Sequence, residues 1–244
     1  MDQRIALVTG AGRGLGLEFC RQLGHAGYRV LLTARTEEAC THAAEALAAE
    51  GSAAEPLLLD VADEAQIQLL AAQVQQRHGR LDLLINNAGI NARSGGGHEA
   101  FLGAFKLEEL DADRLMQMIQ VNAIAPVLLV KHLLPLLSAG QDAKVVNISS
   151  WLGSLAIKTQ GGNYGYSGSK ALLNMFTRAM AQDLKPLNIT AIAVNPGWVQ
   201  TDMGGSRAPL TPEDSVAGLL QVIYRATLED AGKFFQWDGA EHPW

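Results

Sequence analysis

Residues 9–16 read Thr9-Gly10-Ala11-Gly12-Arg13-Gly14-Leu15-Gly16, between a short apolar run at 5–8 and a stretch of helical periodicity at 14–26. A strand, a glycine-rich turn and a helix in that order suit the binding of a dinucleotide. Gly10 allows the tight turn, Gly14 lets the main chain approach a pyrophosphate, and Gly16 lets the helix lie close on the sheet. The pyrophosphate then meets free amide groups at a helix N-terminus, where the macrodipole favours negative charge. A turn serving only strand-to-helix packing would need fewer glycines at these offsets. Gly10, Arg13, Gly14, Leu15 and Gly16 are therefore candidate cofactor-binding residues.

Outward from this loop the same alternation fills the chain. Apolar, β-rich runs lie at 5–8, 28–32, 54–59, 81–85, 144–148, 189–194 and 233–235. Helical stretches lie at 14–26, 37–50, 64–78, 113–137, 166–184 and 212–225. Strict alternation predicts a parallel sheet with helices on both faces. The strands are continuously apolar, as expected where both faces are covered. The expected architecture is one Rossmann-type α/β domain, a doubly wound seven-stranded parallel sheet. Two irregular stretches, 91–106 and 154–163, follow strands that end on the ligand side of such a sheet, and the working surface is expected there.

A chain of 244 residues suits one domain and buries a sizeable core. Cys20 and Cys40 lie in helical stretches without metal-ligand spacing and read as buried structural thiols, which fits a reducing compartment. No apolar run approaches the roughly 18–20 residues needed to span a bilayer, and the N-terminus lacks a signal-peptide cleavage region. A cytoplasmic protein without a membrane segment is expected. The net charge of −6 carries no basic footprint for nucleic acid. His98 has no ligand partners in sequence, and no metal is expected.

The second strand ends Leu32-Thr33-Ala34-Arg35. An NAD-preferring site places an acidic residue near here for the ribose hydroxyls; this chain offers Arg35, with Arg13 in the glycine loop. Two guanidinium groups converging on one spot suit a 2′-phosphate. The expected cofactor is NADP(H).

Three further motifs stand in order: Asn86-Asn87-Ala88-Gly89 after the fourth strand, Tyr166-Ser167-Gly168-Ser169-Lys170 opening a helix, and Pro196-Gly197 after the sixth strand. With the glycine loop they resemble the short-chain dehydrogenase/reductase family across essentially the whole chain. The segments 196–205 (Pro-Gly-Trp-Val-Gln-Thr-Asp-Met-Gly-Gly) and 238–244 (Asp-Gly-Ala-Glu-His-Pro-Trp) are similar to the branch of C-factor proteins and sniffer-type carbonyl reductases. The resemblance implies Tyr166 as proton donor, Lys170 as its partner, Ser150 holding the substrate oxygen, and Asn122 in a proton relay through the Lys170 side. It also implies that Asn87, Ala88 and Gly89 line the nicotinamide ribose and that Asp60 and Val61 meet the adenine. Pro196 and Gly197 belong to the cofactor site, and Val199 and Thr201 touch the carboxamide and phosphates. Relatives often form homodimers or homotetramers through the helices at 113–137 and 166–184.

The chemistry explains the residue types. Carbonyl reduction needs a hydride from the cofactor and a proton from the protein. A free tyrosine titrates near 10, and a neighbouring ammonium is expected to lower that value. Tyr166 and Lys170, four apart, share a helix face. Ser150 would donate to the developing alkoxide. Ser150 precedes Tyr166 by 16 positions, a few more than is common in the family, so an enlarged loop is expected at 161–163 and Ser149 and Ser154 stand as alternatives. Trp151 and Trp198 are candidates for an apolar substrate wall, with core packing an equal reading. Tyr164 reads as a pocket or core aromatic. Asn91, Arg93 and His98 read as a solvated loop, with a lid as the alternative.

The leading expectation is an NADPH-dependent reductase of an aldehyde, ketone or quinone. The alternatives are alcohol oxidation by the same site and a dinucleotide-dependent signalling or sensing protein.

Overall fold

A computed structural model describes residues 3–91 and 105–244. Seven strands form one parallel sheet: β1 (Ile5–Val8), β2 (Arg29–Ala34), β3 (Ala54–Leu58), β4 (Leu83–Asn86), β5 (Lys144–Ile148), β6 (Thr190–Asn195) and β7 (Phe234–Gln236). Their order is β3-β2-β1-β4-β5-β6-β7. The chain winds outward from β1 to β3, returns to lay β4 beside β1, and winds outward again. The switch point is thus the β1–β4 junction, where the carboxyl ends of two strands open a crevice.

Alternate residues of β1 serve opposite faces. Ile5 and Leu7 join a core with Ile67 and Leu70 of α3 (Glu64–Arg77), Leu129 and Leu133 of α5 (Ala125–Ser138), and Met180 and Leu184 of α6 (Tyr164–Leu184). Ala6 and Val8 join a second core with Phe19 and Leu23 of α1 (Gly14–His25), Leu47 of α2 (Glu37–Ala49), and Leu219 and Ile223 of α7 (Pro212–Arg225). Each fully buried Leu or Ile contributes about 1.5–3 kcal/mol, and the two-sided demand explains why inner strands such as β1 and β4 read as apolar runs. Pro56 in β3 is tolerated because that strand is an edge. Cys20 and Cys40 are buried and unpaired.

Helix capping differs by location. Thr36, Asp63, Asp111 and Thr211 cap α2, α3, α4 (Ala112–Ile119) and α7 with side-chain acceptors. The N-caps of α1 and α6, Arg13 and Asn163, make no side-chain cap. These two helices begin next to the switch point and the expected site, and their first N–H groups have no side-chain acceptor from the N-cap residue.

The structure corrects the single helix expected at 113–137. It is α4, a π turn at Gln120–Ile124, then α5, continuous from Ala112 to Ser138. The wider turn carries Asn122 inward, where its side chain grips a neighbouring loop. The joined helix also amends the expectation of no span-length apolar stretch: by length and composition it is apolar enough to cross a bilayer. Half of its apolar window is buried, as in a core helix. Smaller shifts are the extension of β2 to Ala34 and the start of α6 at Tyr164.

Candidate active site

At the switch point the glycine loop and the Asn-Asn-Ala-Gly turn are stitched together. Thr9 Oγ1 accepts the N–H groups of Asn87 and Ala88, each at 3.0 Å. The Asn87 amide donates back to Thr9 O at 2.8 Å and Gly10 O at 3.1 Å. This closeness dictates glycine: a Cβ on Gly10 would stand 2.8 Å from Ala88 Cα, and one on Gly16 2.5 Å from Gly10 O. Gly10 and Gly14 also take positive φ angles of 63° and 57°. Thr201, after β6, lies opposite Gly14, its methyl 3.5 Å from where a Cβ would be. The loop, the uncapped start of α1 (Gly14, Leu15, Gly16) and Thr201 thus form a cradle that fits a pyrophosphate.

At the rim, Arg13 has a partner that its place in the loop does not announce. Its guanidinium pairs with Asp202 at 2.7 Å, both side chains more than 70 % exposed. The reason is position: Asp202 follows Thr201 in the segment that faces the glycine loop, and it is an anion within reach. Arg35 stands exposed just beyond β2, with no acidic side chain at positions 33–35. Asp60, after β3, folds its carboxylate onto the N–H of Ala62 at 3.0 Å, and Val61 is buried.

The second cluster joins the end of β5 to α6. Ser150 follows β5 by two residues, and its hydroxyl faces the Tyr166 phenol closely enough to hold the phenol's titration down. The same Ser150 oxygen accepts the Leu152 N–H at 3.1 Å. Ser149 points elsewhere, donating to Asn174 Oδ1 at 2.6 Å inside the core, and Ser154 is buried without a partner. Of the three serines, Ser150 meets Tyr166.

Lys170 is buried, donates to Ile148 O at 2.7 Å, and lies 5.8 Å from the Tyr166 ring centre. Here the structure corrects the expected titration. Burial pushes the Tyr166 phenol up to about 12, with the Ser150 hydroxyl pulling it partly back. Burial also draws Lys170 down to about 8. In this environment desolvation outweighs any pull of the ammonium on the phenol, so Tyr166 holds its proton at neutral pH and Lys170 is the group that titrates near it.

Asn122 Oδ1 accepts the Ile90 N–H at 2.8 Å, while its amide donates to Ile90 O at 2.8 Å and Ser169 Oγ at 2.9 Å. Both amide hydrogens are therefore used in clamping the chain beyond Gly89 to α6. Beneath this clamp runs a buried polar layer that the sequence reading missed. Asn86 donates to Asn147 on the adjacent strand, Asn147 to Thr177, and Thr177 to Leu173 O. Asn174 donates to Gly153 O. These links tie the sheet to α6 below Tyr166 and Lys170. Two asparagines at the ends of apolar strands were the available signal.

Trp151 and Trp198 are 46 % and 52 % exposed, which rules out core packing for both. The Trp198 indole N–H donates to Gly204 O at 2.8 Å, folding residues 198–204 into one compact loop with Val199 buried within it. Pro196 O accepts the Ser215 hydroxyl at 2.7 Å, and Gly197 has a φ of 81°. The enlarged stretch before Asn163 lines a cavity of about 220 Å³ with Tyr164 and the first turns of α6. Arg93 and His98 lie outside the described residues. Among the described residues no cluster of three or more His, Cys, Asp or Glu side chains is placed to hold a metal.

The short chain dehydrogenase family model matches residues 4–210. The C-signal of Myxococcus xanthus is 41 % identical over 166 residues, 68 % of this chain and 94 % of that protein. An NADPH-bound carbonyl reductase from chicken fatty liver superposes over 100 % of both chains with a TM-score of 0.87 and 33 % identity. The carbonyl reductase Sniffer of D. melanogaster does so over 100 % of both chains with a TM-score of 0.88 and 31 % identity.

Proposed function

This chain belongs to the short-chain dehydrogenase family, and from that premise we propose that it is an NADP(H)-dependent reductase of a carbonyl compound, an aldehyde, ketone or quinone. The observation that carries the reading is the meeting of Ser150, Tyr166 and Lys170 beside a glycine cradle whose adenosine end presents Arg35 in place of an acid.

The residues fit the cofactor. The cradle, with Thr201 opposite Gly14, would hold the pyrophosphate on the free amides of α1, and Arg35 would take the 2′-phosphate, joined by Arg13 once it leaves Asp202. Asp60 and Val61 would flank the adenine, while Asn87, Ala88, Gly89, Pro196, Gly197 and Val199 would line the nicotinamide half. When bound, NADPH supplies the hydride. The protein supplies the rest. Leu152 occupies one lone pair of the Ser150 oxygen, and the Ser150 O–H, aimed at the Tyr166 phenol, would turn to the substrate oxygen as charge develops there. Tyr166, protonated at neutral pH, gives the proton. Lys170 exchanges its own proton near that pH and restores the phenol. Asn122 has spent both amide hydrogens on Ile90 and Ser169, and what it supplies is the hold on the chain beyond Gly89 against α6.

The test is NADPH consumption with a panel of aldehydes, ketones and quinones, wild type beside Tyr166→Phe. Loss of a positioned proton donor lowers kcat by about 10²–10⁴-fold, with NADPH affinity unchanged. Wild-type turnover in the variant would refute the assignment. The identity with C-signal supports a second reading, a dinucleotide-dependent signalling protein. Cells would then tolerate Tyr166→Phe. Exposed Met116 and Met175 on α4 and α6 support a further part of the proposal, a homodimer or homotetramer assembled through α4, α5 and α6. A monomer by light scattering would exclude it.

A further inference from the structure

The main-chain ladder between β5 and β6 ends with the Ser149 N–H donating to Val194 O at 2.7 Å. Beyond it the strands part into two turns, one carrying Ser150 and Trp151, the other Pro196, Gly197 and Trp198. A side chain makes the next link. The Asn195 Oδ1 accepts the Trp151 N–H at 3.2 Å and the Gly197 N–H at 3.3 Å. A carboxamide oxygen has two lone pairs, and here each is given to a different turn. Asn195 is 2 % exposed.

We propose that Asn195 is a positioning residue, which aims Ser150 at Tyr166 and sets the gap between Trp151 and Trp198, and thereby selects substrates by width. The proposal rests on the reductase reading. On the β5 side, the peptide linking Ser150 to Trp151 is held at its N–H by Asn195. Ser150 O accepts the Gly153 N–H at 2.9 Å. With both ends of its following peptide fixed, Ser150 has one orientation from which to reach the Tyr166 phenol. On the β6 side, Gly197 closes an Asx turn on Asn195. Gly197 takes the φ of 81° that favours glycine there, with Leu210 and Trp237 packed against its α-carbon. What remains to be fixed is where that turn stands relative to β5, and Asn195 fixes it.

The half-exposed indoles make this matter. Neither is buried in the core, so each takes its position largely from its own backbone. Trp198 is further tied to Gly204 within its own loop. Among the described residues, Asn195 is the one side chain hydrogen-bonded to both tryptophan-bearing turns.

The experiment compares wild type, Asn195→Ala and Asn195→Asp, which retains a carboxyl oxygen at the same reach. NADPH affinity is read by its fluorescence. Turnover is read with a broad planar probe, 9,10-phenanthrenequinone, and a narrow one, diacetyl. A misplacement of about 1 Å costs about 10²-fold, so Asn195→Ala should lose about tenfold to a hundredfold in kcat/KM. NADPH affinity should stay within about twofold, the ratio of the two probes should shift, and Asn195→Asp should recover most of both. Asn195→Gln, with its amide one methylene further out, gives the same comparison should Asn195→Ala not fold. Equal losses on both probes with no recovery in Asn195→Asp, or a parallel loss of NADPH affinity, would overturn the proposal. Failure of the wild type to reduce either probe while binding NADPH strikes the reductase reading first and takes this proposal with it.

Discussion

Replacing Lys170 by methionine should make this protein more stable and nearly inactive. Lys170 is 4 % exposed, and burial draws it from the usual 10.5 to about 8. At 1.36 kcal/mol per pH unit that gap represents roughly 3 kcal/mol held against the folded state below pH 8. Between about 8 and 10.5 the unfolded chain binds more protons than the folded one, so the penalty fades as pH rises through that window. Methionine fills a similar volume without charge. It forfeits the hydrogen bond to Ile148 O and leaves that carbonyl unpaired, a cost of about 1–3 kcal/mol. A net gain of up to about 2 kcal/mol remains at pH 7, or up to about 4–8 °C in Tm for a chain of this size. Thermal unfolding of both proteins from pH 6 to 10.5 is the assay, with NADPH turnover alongside. The stability difference should shrink from pH 8 upward while activity stays low throughout. A variant less stable at pH 7, or a difference that ignores pH, would refute the claim that a buried charge is being carried for function.

Arg35→Ala should weaken NADPH by about tenfold to a hundredfold and leave NADH within about twofold, since one charge-assisted bond is worth about 1.5–3 kcal/mol; equal losses by titration would remove Arg35 from the 2′-phosphate. Asp202→Asn releases Arg13 from an exposed pair, which typically holds less than about 1 kcal/mol. NADPH should bind up to about fivefold tighter with NADH unchanged, and unaltered affinity would show that the pair does not compete. Ser150→Ala should lower kcat by about 10²–10³-fold with Tm little changed. Ser149→Ala should do the reverse, losing about 1–3 kcal/mol from an orphaned Asn174 amide while keeping activity, and the opposite pattern in paired kinetics and melting would exchange the two serines.

Much of the fold was legible because the signals were local and repeated. Continuous apolar strands and alternating helices specify a covered parallel sheet whatever the details, and Gly10 and Gly16 are demanded by contacts under 3 Å. The candidate site was legible where spacing alone placed groups together, as with Tyr166 and Lys170 on one turn. It was illegible where a result depends on competition between environments. Proximity of Lys170 suggested a lowered tyrosine, yet desolvation of both groups prevails, and burial is not a property of four-residue spacing. Arg13 was assigned by its place in the loop, but its partner, Asp202, comes from 189 positions away. The same holds for Asn195 and the Asn86–Asn147–Thr177 layer, whose roles arise only when separate strands are brought side by side.

The π turn at Gln120–Ile124 has a consequence for descent. A turn closed by i to i+5 bonds holds one residue more than one closed by i to i+4 bonds. The helices on either side therefore keep their faces to the sheet whether or not that residue is present. Deleting one codon here would return the helix to regular α geometry and undo the inward swing of Asn122. Scaffold and site are separable by that one step, and a lineage could shed the grip on Ile90 and Ser169 while passing on the fold.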